Sequence, residues 1–154
     1  MGPPTAVFER GTGYARRFLD GFNEASQHHG MVTVVQPCEP AYDGVLACVN
    51  RVFAELPGCT ALVVHNELAL GPLLSILAQQ GRRVPEDVSI VAVCPTDVAV
   101  SHPVALTSVD IPAQTIGAIA VEMVIHQLAD RRGPEVRLLT PRLVERASCA
   151  DLRT

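Results

Sequence analysis

The pattern of apolar and polar positions is clearest in the central third of the chain. Residues Ala61 to Val64 form a short β-branched apolar run that stops at the polar cluster His65-Asn66-Glu67, which is typical of a buried strand. Asn66 can cap a helix that Gly81 ends, because amides favour helix starts and glycines favour helix ends. A second apolar run, Val88 to Val93, predicts another buried strand. The apolar face of the helix between them contains Leu68, Leu70, Leu73, Leu74 and Leu77.

The order strand, helix, strand, with both strands apolar throughout, predicts a parallel sheet covered by helices on both faces. We therefore expect an α/β fold with three layers. In such sheets ligands bind beyond the carboxyl ends of the strands. Those ends are His65-Asn66-Glu67 and Cys94-Pro95-Thr96-Asp97, so we expect the candidate site at these two strand tips.

Helices and short strands are also predicted on either side of this central unit. In chain order we predict an irregular lead-in over 1–11, a helix over 12–29, a strand over 31–35, a helix over 45–56, a loop over 96–104, a strand over 105–109, a helix over 112–129, and extended segments at 136–139 and 143–144. The helix that begins at Pro112 is apolar on nearly every side. It must therefore be covered on more than one face.

Composition narrows the function classes. Of 154 residues, 48% are hydrophobic and 18% charged, so a disordered chain is excluded. The net charge is −4, and the arginines occur in separate pairs rather than in a run, which argues against binding of nucleic acid phosphates by this chain alone. No apolar run approaches the ~20 residues of a membrane span, and we expect no membrane contact.

The cysteine pattern suggests neither a metal site nor a disulfide framework. Five cysteines are present, an odd number, without a Cys-x-x-Cys pair. We interpret them as reduced thiols of a cytoplasmic protein that needs no metal and no cofactor. The chain start, Met1-Gly-Pro-Pro-Thr, shows no signal-sequence pattern, but an exported protein that had lost its signal sequence would look the same. The five are Cys38, Cys48, Cys59, Cys94 and Cys149.

Four segments carry motifs that occur together in one family. They are Thr60–Leu62 leading into His65–Gly71, Gly81–Val91, Leu106–Val109 with Pro112, and Pro141–Ser148. The second reads Gly-Arg-Arg-Val-Pro-Glu-Asp-Val-Ser-Ile-Val. Together they span almost the whole chain, which resembles the effector-binding region of the LacI/GalR family, the lac-repressor and purine-repressor type of bacterial transcription regulator.

The resemblance implies a fold like that of periplasmic sugar-binding proteins, with two α/β subdomains around a ligand cleft. On this basis 1–11 would be a hinge, 12–109 the core of the C-terminal subdomain, 110–140 a helix and strand that pack on the first subdomain, and 141–154 a return segment and tail of a single effector-binding region. The helix over 112–130 would then need another cover in this chain. We expect a second copy or a shift against its own sheet; the alternative is that its own sheet already buries it.

The resemblance also implies a function. The chain would sense a small-molecule effector, a sugar or another small metabolite, and would form a homodimer. DNA would be bound only through a helix-turn-helix that this chain does not contain.

Site residues follow from the resemblance position by position. Asn66 matches the residue that hydrogen-bonds effector hydroxyls, although it could be a helix cap alone. Cys94 stands where sugar- and purine-binding members have Asp, and Asp97 could supply that carboxylate instead. Phe18 stands where an Arg is usual, with Arg17 beside it, and Cys38 where an aromatic residue often stacks on the ligand. A homodimer seam would involve Leu70, Leu73, Leu74 and His102, although sheet packing would take some of these leucines.

Two other functions compete with the regulator. A solute receptor of a transporter would share the fold, but the expected cytoplasmic thiols argue against it. An enzyme could use Cys94 as nucleophile and His65 as base. However, Pro95 lacks the N–H that a nucleophile turn offers to an oxyanion, so we expect a binding protein and not an enzyme.

Overall fold

A four-stranded sheet forms the centre of the fold in the computed structural model, which describes residues 13–130 and 135–151. The strands lie side by side in chain order: β1 (Ala61–Val64), β2 (Ser89–Val93), β3 (Thr107–Asp110) and β4 (Arg142–Val144). The first three are parallel, and β4 pairs antiparallel to β3. This mixed α/β architecture confirms the predicted fold class.

Five helices accompany the sheet within the described residues. They are α1 (Gly13–His28), α2 (Tyr42–Glu55), α3 (Leu70–Gln79), α4 (Thr96–Val100) and α5 (Ala113–Asp130). A 3₁₀ turn, Glu67–Ala69, leads directly into α3. The buried core lies between α2, α3 and the sheet, and its largest side chains are Leu70, Leu73, Ile76, Leu77, Ile90 and Leu106.

The predicted signals at both ends of α3 are confirmed. The Asn66 side chain accepts a hydrogen bond from the Leu68 amide at 3.3 Å, which caps the 3₁₀ turn. Gly81 has φ +72°, a left-handed conformation that costs glycine little. Its amide donates to the Ala78 carbonyl, and the Arg82 amide donates to that of Leu77, a standard way to satisfy the last carbonyls of a helix. These two ends fix where β1 stops and where the chain returns toward β2.

Two predicted elements are wrong. Residues 31–35 form no strand, although they are rich in valine. They lie along β1 across a cavity of about 230 Å³, and Val32 is 78% exposed; because the cavity separates them from β1, no backbone ladder forms. The predicted loop over 96–104 begins with the short helix α4, which Pro95 precedes and in whose first turn Asp97 lies.

Helix α5 is left uncovered by its own sheet. It has no buried residue, and only Ile119 and Met123 are half-buried among its described side chains. Its neighbours are Arg137, Leu138 and Leu139, which line a cavity of about 290 Å³ with one face of the helix. The alternative that this chain's own sheet buries α5 is therefore wrong.

Some expectations lie outside the described residues. These are the lead-in over 1–11, the stop of the last helix near Arg131-Arg132-Gly133, and the last three residues of the tail. The proposed subdivision of the chain stays a prediction. Among the residues that the structure describes, no helix is long and apolar enough to cross a membrane.

Candidate functional site

The two predicted strand tips lie side by side. Strands β1 and β2 are parallel and in register, with Val64 opposite Ala92. The segments that follow, His65-Asn66-Glu67 and Cys94-Pro95-Thr96-Asp97, therefore meet at the same edge of the sheet. Helix α1 supplies side chains above the first tip and α4 starts from the second.

Asn66 is the polar centre of the first tip. Its Nδ2 donates to the Cys38 carbonyl at 3.4 Å, while its Oδ1 accepts from the Leu68 amide. The side chain therefore both caps a helix and holds the loop after residue 35 against the tip. Since a carboxamide offers two donor hydrogens and two acceptor lone pairs, one of each is left for a ligand.

An aromatic cluster covers His65. Its ring stacks on Tyr14 with centroids 5.6 Å apart, and meets Phe18 at 4.5 Å with a tilt of 55°. Burial lowers the pKa of His65 and so favours its neutral form. Phe18 is thus half-buried at the tip, whereas Arg17 is exposed beside it.

Cys94 is enclosed by the fold. Its side chain is fully buried, and burial, followed by the nearby Glu67 carboxylate, raises its pKa to about 11. A protonated, enclosed thiol is a weak ligand for hydroxyls and a weak nucleophile. The expected ligand contact at Cys94 is therefore not supported by its position, and neither is the Cys94 enzyme.

Cys38 also turns into the protein. Only 1% of its surface is exposed, and it belongs to the hydrophobic core. The position where the family often has a stacking aromatic residue thus presents no exposed side chain here, and a ligand contact of Cys38 stays a prediction. Asp97, in contrast, is exposed in the first turn of α4.

The residues expected at a dimer seam divide into two groups. Leu70 and Leu73 are fully buried in the chain's own core. Both therefore have the alternative role, which is packing within the chain. Leu74 and His102 line a surface groove of about 750 Å³ beside α3. The Nε2 atom of His102 is buried there without a hydrogen-bond partner among the described residues.

A polar network that sequence reasoning left without a role braces the second tip. The Arg146 guanidinium donates to the Leu106 carbonyl and to Ser108 Oγ, both at 2.8 Å, and reaches Thr96 Oγ1 at 3.3 Å. Thr96 in turn donates to the Asp110 carboxylate at 3.1 Å. The signal was present in the closing motif Pro141–Ser148, which contains Arg146, but spacing alone gives no partner for it.

The structure also bears on metal binding. In 13–130 and 135–151 no group of three or more His, Cys, Asp or Glu side chains is arranged to hold an ion. The groups present at the first tip are a carboxamide at Asn66 and the aromatic cluster around His65. Both suit recognition of a small organic molecule.

Comparison with known proteins places this geometry in context. A family model described as a periplasmic binding protein-like domain matches residues 5–149. The HTH-type transcriptional repressor PurR of Photobacterium profundum is 28% identical over 145 residues, which are 89% of this chain and 42% of the repressor. Such relatives are transcriptional regulators and not enzymes.

Solved structures agree. A complex of the transcriptional regulator CelR with cellobiose is 28% identical and has a TM-score of 0.74, covering 84% of this chain and 41% of that one. A LacI family transcriptional regulator from Mycobacterium smegmatis is 29% identical with a TM-score of 0.74, covering 88% of this chain and 52% of the other. The chain thus spans about two fifths to one half of the length of these proteins.

Proposed function

Since the chain belongs to the periplasmic binding protein-like domain family, in the form found in LacI-type transcription regulators, we propose that it is the effector-sensing region of such a repressor. The effector is a sugar or another small metabolite that binds at the two strand tips. DNA is bound by a helix-turn-helix elsewhere in the whole protein. The protein acts in the cytoplasm as a homodimer.

One observation carries this proposal. Asn66 stands at the edge of the sheet where β1 ends, with donor and acceptor capacity left over after its two internal hydrogen bonds. Asp97, Arg17 and Phe18 lie on the neighbouring elements and complete the proposed ligand contacts. Because the CelR relative is solved with cellobiose, a disaccharide is the natural first probe.

Regulation follows from differential binding. An effector that holds the cleft in one arrangement shifts the population between a DNA-binding state and a released state. The size of this shift is limited by the difference between the effector's affinities for the two states. Asn66 can transmit that difference, because the same side chain touches the loop at Cys38 and the start of the turn before α3. In the whole protein, the dimer seam is proposed along Leu74 and His102 at the groove beside α3; how chain 1–154 associates in isolation is a separate question.

The test is a calorimetric titration of the chain with cellobiose, followed by a panel of monosaccharides and nucleobases. We expect saturable binding of one class. Asn66→Ser should weaken it about tenfold, because serine still caps the turn but lacks the amide donor. Asn50→Ala, at an exposed amide of α2 that bonds Gln80, is the matched control and should bind as the parent does. Binding that is indifferent to Asn66→Ser, or no binding from any class, contradicts the proposal.

A further inference from the structure

The loop that carries Cys38 is pressed onto one face of α2. Gly44, in the first turn of that helix, is so close to Glu39 that an added Cβ would lie 2.7 Å from the Glu39 Cβ and 2.8 Å from its carbonyl oxygen. Residues four apart share a helix face, so Cys48 lies one turn beyond Gly44 on this same side. The backbone packing therefore brings Cys38, next to Glu39, opposite Cys48.

Both thiols lie in the same hydrophobic core cluster. Both are almost fully buried, at 1% and 0% exposure. The Cys38 thiol donates to the Glu39 carbonyl at 3.5 Å. The hydrogen bond from Cys38, helped by the Arg51 guanidinium, lowers the pKa of Cys48, and the same bond raises that of Cys38. Cys48 is thus the more acidic thiol of the two.

We propose that Cys38 and Cys48 form a dithiol site that hydrogen peroxide oxidises to an intramolecular disulfide. The Cys48 thiolate attacks one peroxide oxygen, the O–O bond breaks, and the departing hydroxide takes up a proton as water, which leaves a sulfenic acid on Cys48. The Cys38 sulfur then attacks the Cys48 sulfur, the S–O bond breaks, and the leaving hydroxide takes the Cys38 proton. In total two thiols lose two electrons, and one peroxide becomes two waters.

The loop provides the route for the oxidant. Residues 31–39 have no regular secondary structure, and the cavity beneath 31–36 separates them from β1. Segments with few backbone hydrogen bonds open locally far more often than the whole domain unfolds. Opening of this loop admits a molecule as small as hydrogen peroxide to thiols that are closed in the static structure.

Oxidation of the pair would also affect the candidate site. The Cys38 carbonyl is the acceptor for Asn66 Nδ2, so a bond from Cys38 to α2 fixes the position of that acceptor. The effect on an effector rests on the proposed function, whereas disulfide formation itself does not. The two can fail separately: calorimetry tests the effector, and mass spectrometry tests the disulfide.

The experiment treats the chain with graded hydrogen peroxide, blocks remaining thiols with iodoacetamide and digests with trypsin. No lysine or arginine lies between residues 18 and 50, so both cysteines stay on the peptide 18–51. We expect this peptide to lose two hydrogens and to escape alkylation at both positions. Cleavage before Asp43 should then give two fragments that separate only after reduction.

Variants and outcomes decide the matter. Cys38→Ser and Cys48→Ala should each abolish the linked product, with folding checked by circular dichroism. Cys149→Ser, at an exposed cysteine outside the pair, is the control and should leave the product unchanged. The proposal is overturned if the pair stays alkylatable at a dose that fully oxidises Cys149, or if the disulfides found are intermolecular or involve Cys59.

Discussion

At the residue scale, Ser148 shows how the closing motif stabilises the fold. Its buried hydroxyl donates to the Ile90 carbonyl of β2 and accepts from the Thr107 amide of β3 at 2.8 Å. Its own carbonyl accepts from the Ile90 amide. One residue near the end of the chain thus joins two neighbouring strands.

Ser148→Ala should therefore lower the free energy of unfolding by about 1–3 kcal/mol, the cost of leaving buried polar groups unpaired. Urea denaturation followed by circular dichroism measures this difference. Ser75→Ala, at an exposed serine of α3, is the control and should change stability little. Equal effects of the two substitutions would show that the Ser148 hydroxyl is not a structural clamp.

Asp87, in the Val-Pro-Glu-Asp motif, gives a prediction for pH. Hydrogen bonds from the Arg83 side chain, and then from its backbone amide, lower the pKa of Asp87 to about 2. A carboxyl whose folded pKa lies below its unfolded value of 3.8 stabilises the fold above that value, and the contribution is lost as pH falls toward 2. Because the pair is exposed, solvent weakens the effect.

The stability difference between the parent and Asp87→Asn should accordingly be larger at pH 6 than at pH 2. Denaturation at the two pH values measures it, and the carboxyl carbon resonance of Asp87 in an NMR titration reports the pKa directly. Glu86→Gln, which removes the exposed carboxylate that precedes Asp87, is the matched control for loss of a charge in this loop. An Asp87 that titrates near 3.8 would mean that the ion pair with Arg83 does not form in solution.

Residue types at the site could be predicted from the sequence, but the directions of their side chains could not. The two roles of Asn66, as a helix cap and as a residue at the strand tip, could be predicted because the signal is local: Asn66 lies between an apolar run and a helix. Cys38 and Cys94 stand at comparable loop positions, yet both side chains are buried. Whether such a side chain is buried or faces the site depends on packing between distant segments, such as Glu39 on Gly44. No local sequence pattern encodes this packing.

At the element scale, the contact between the loop and α2 depends on the missing Cβ of Gly44. Alanine normally favours a helix over glycine by about 1 kcal/mol. Here the added methyl would fall 2.8 Å from a backbone oxygen, a contact that real Cβ atoms do not tolerate. We therefore predict that Gly44→Ala destabilises the domain in spite of its better helix propensity, and displaces the loop at Glu39.

Thermal unfolding of Gly44→Ala against Gly21→Ala is the measurement. Gly21 lies in the interior of α1 with no atom within 4 Å of an added Cβ, so its substitution should be neutral or stabilising. The change at Gly44 should also reduce the yield of the Cys38–Cys48 disulfide, since it moves one thiol from the other. A stabilised Gly44→Ala variant would contradict the close approach of loop and helix.

The sequence predicts elements well wherever their limits are local. Strand β1, the turn at Asn66, α3 and the Gly81 stop all match, because an apolar run, a cap and a left-handed glycine are next to each other in the chain. Residues 31–35 were predicted as a strand because valine favours strands. A strand needs a partner within hydrogen-bonding distance, and the cavity beside β1 prevents that pairing.

At the scale of the whole molecule, α5 and the groove beside α3 compete as the surface on which a second copy would pack. Val121, Val124, Ile125 and Leu128 follow the helical spacing of one face and are 55–80% exposed. A stripe of this kind is typical of a protein interface. The groove is bounded by the exposed side chains of Ser75 and Ala78 in addition to Leu74 and His102.

We predict that chain 1–154 in isolation is a dimer held by the α5 stripe, because each of its four large apolar side chains is more than half exposed. Light scattering over a dilution series should give twice the mass of the chain. Val124→Glu should weaken the dimer by at least about tenfold, because a carboxylate in an apolar contact must be desolvated or protonated. Ala78→Glu places the same charge in the groove and should leave the dimer intact.

If Ala78→Glu dissociates the dimer and Val124→Glu does not, the seam is the groove that the resemblance implies, and the α5 stripe plays no part in it. A parent chain that is monomeric throughout the series would exclude both surfaces as dimer contacts of the isolated chain, since an apolar stripe that stays exposed at high concentration does not attract a second copy.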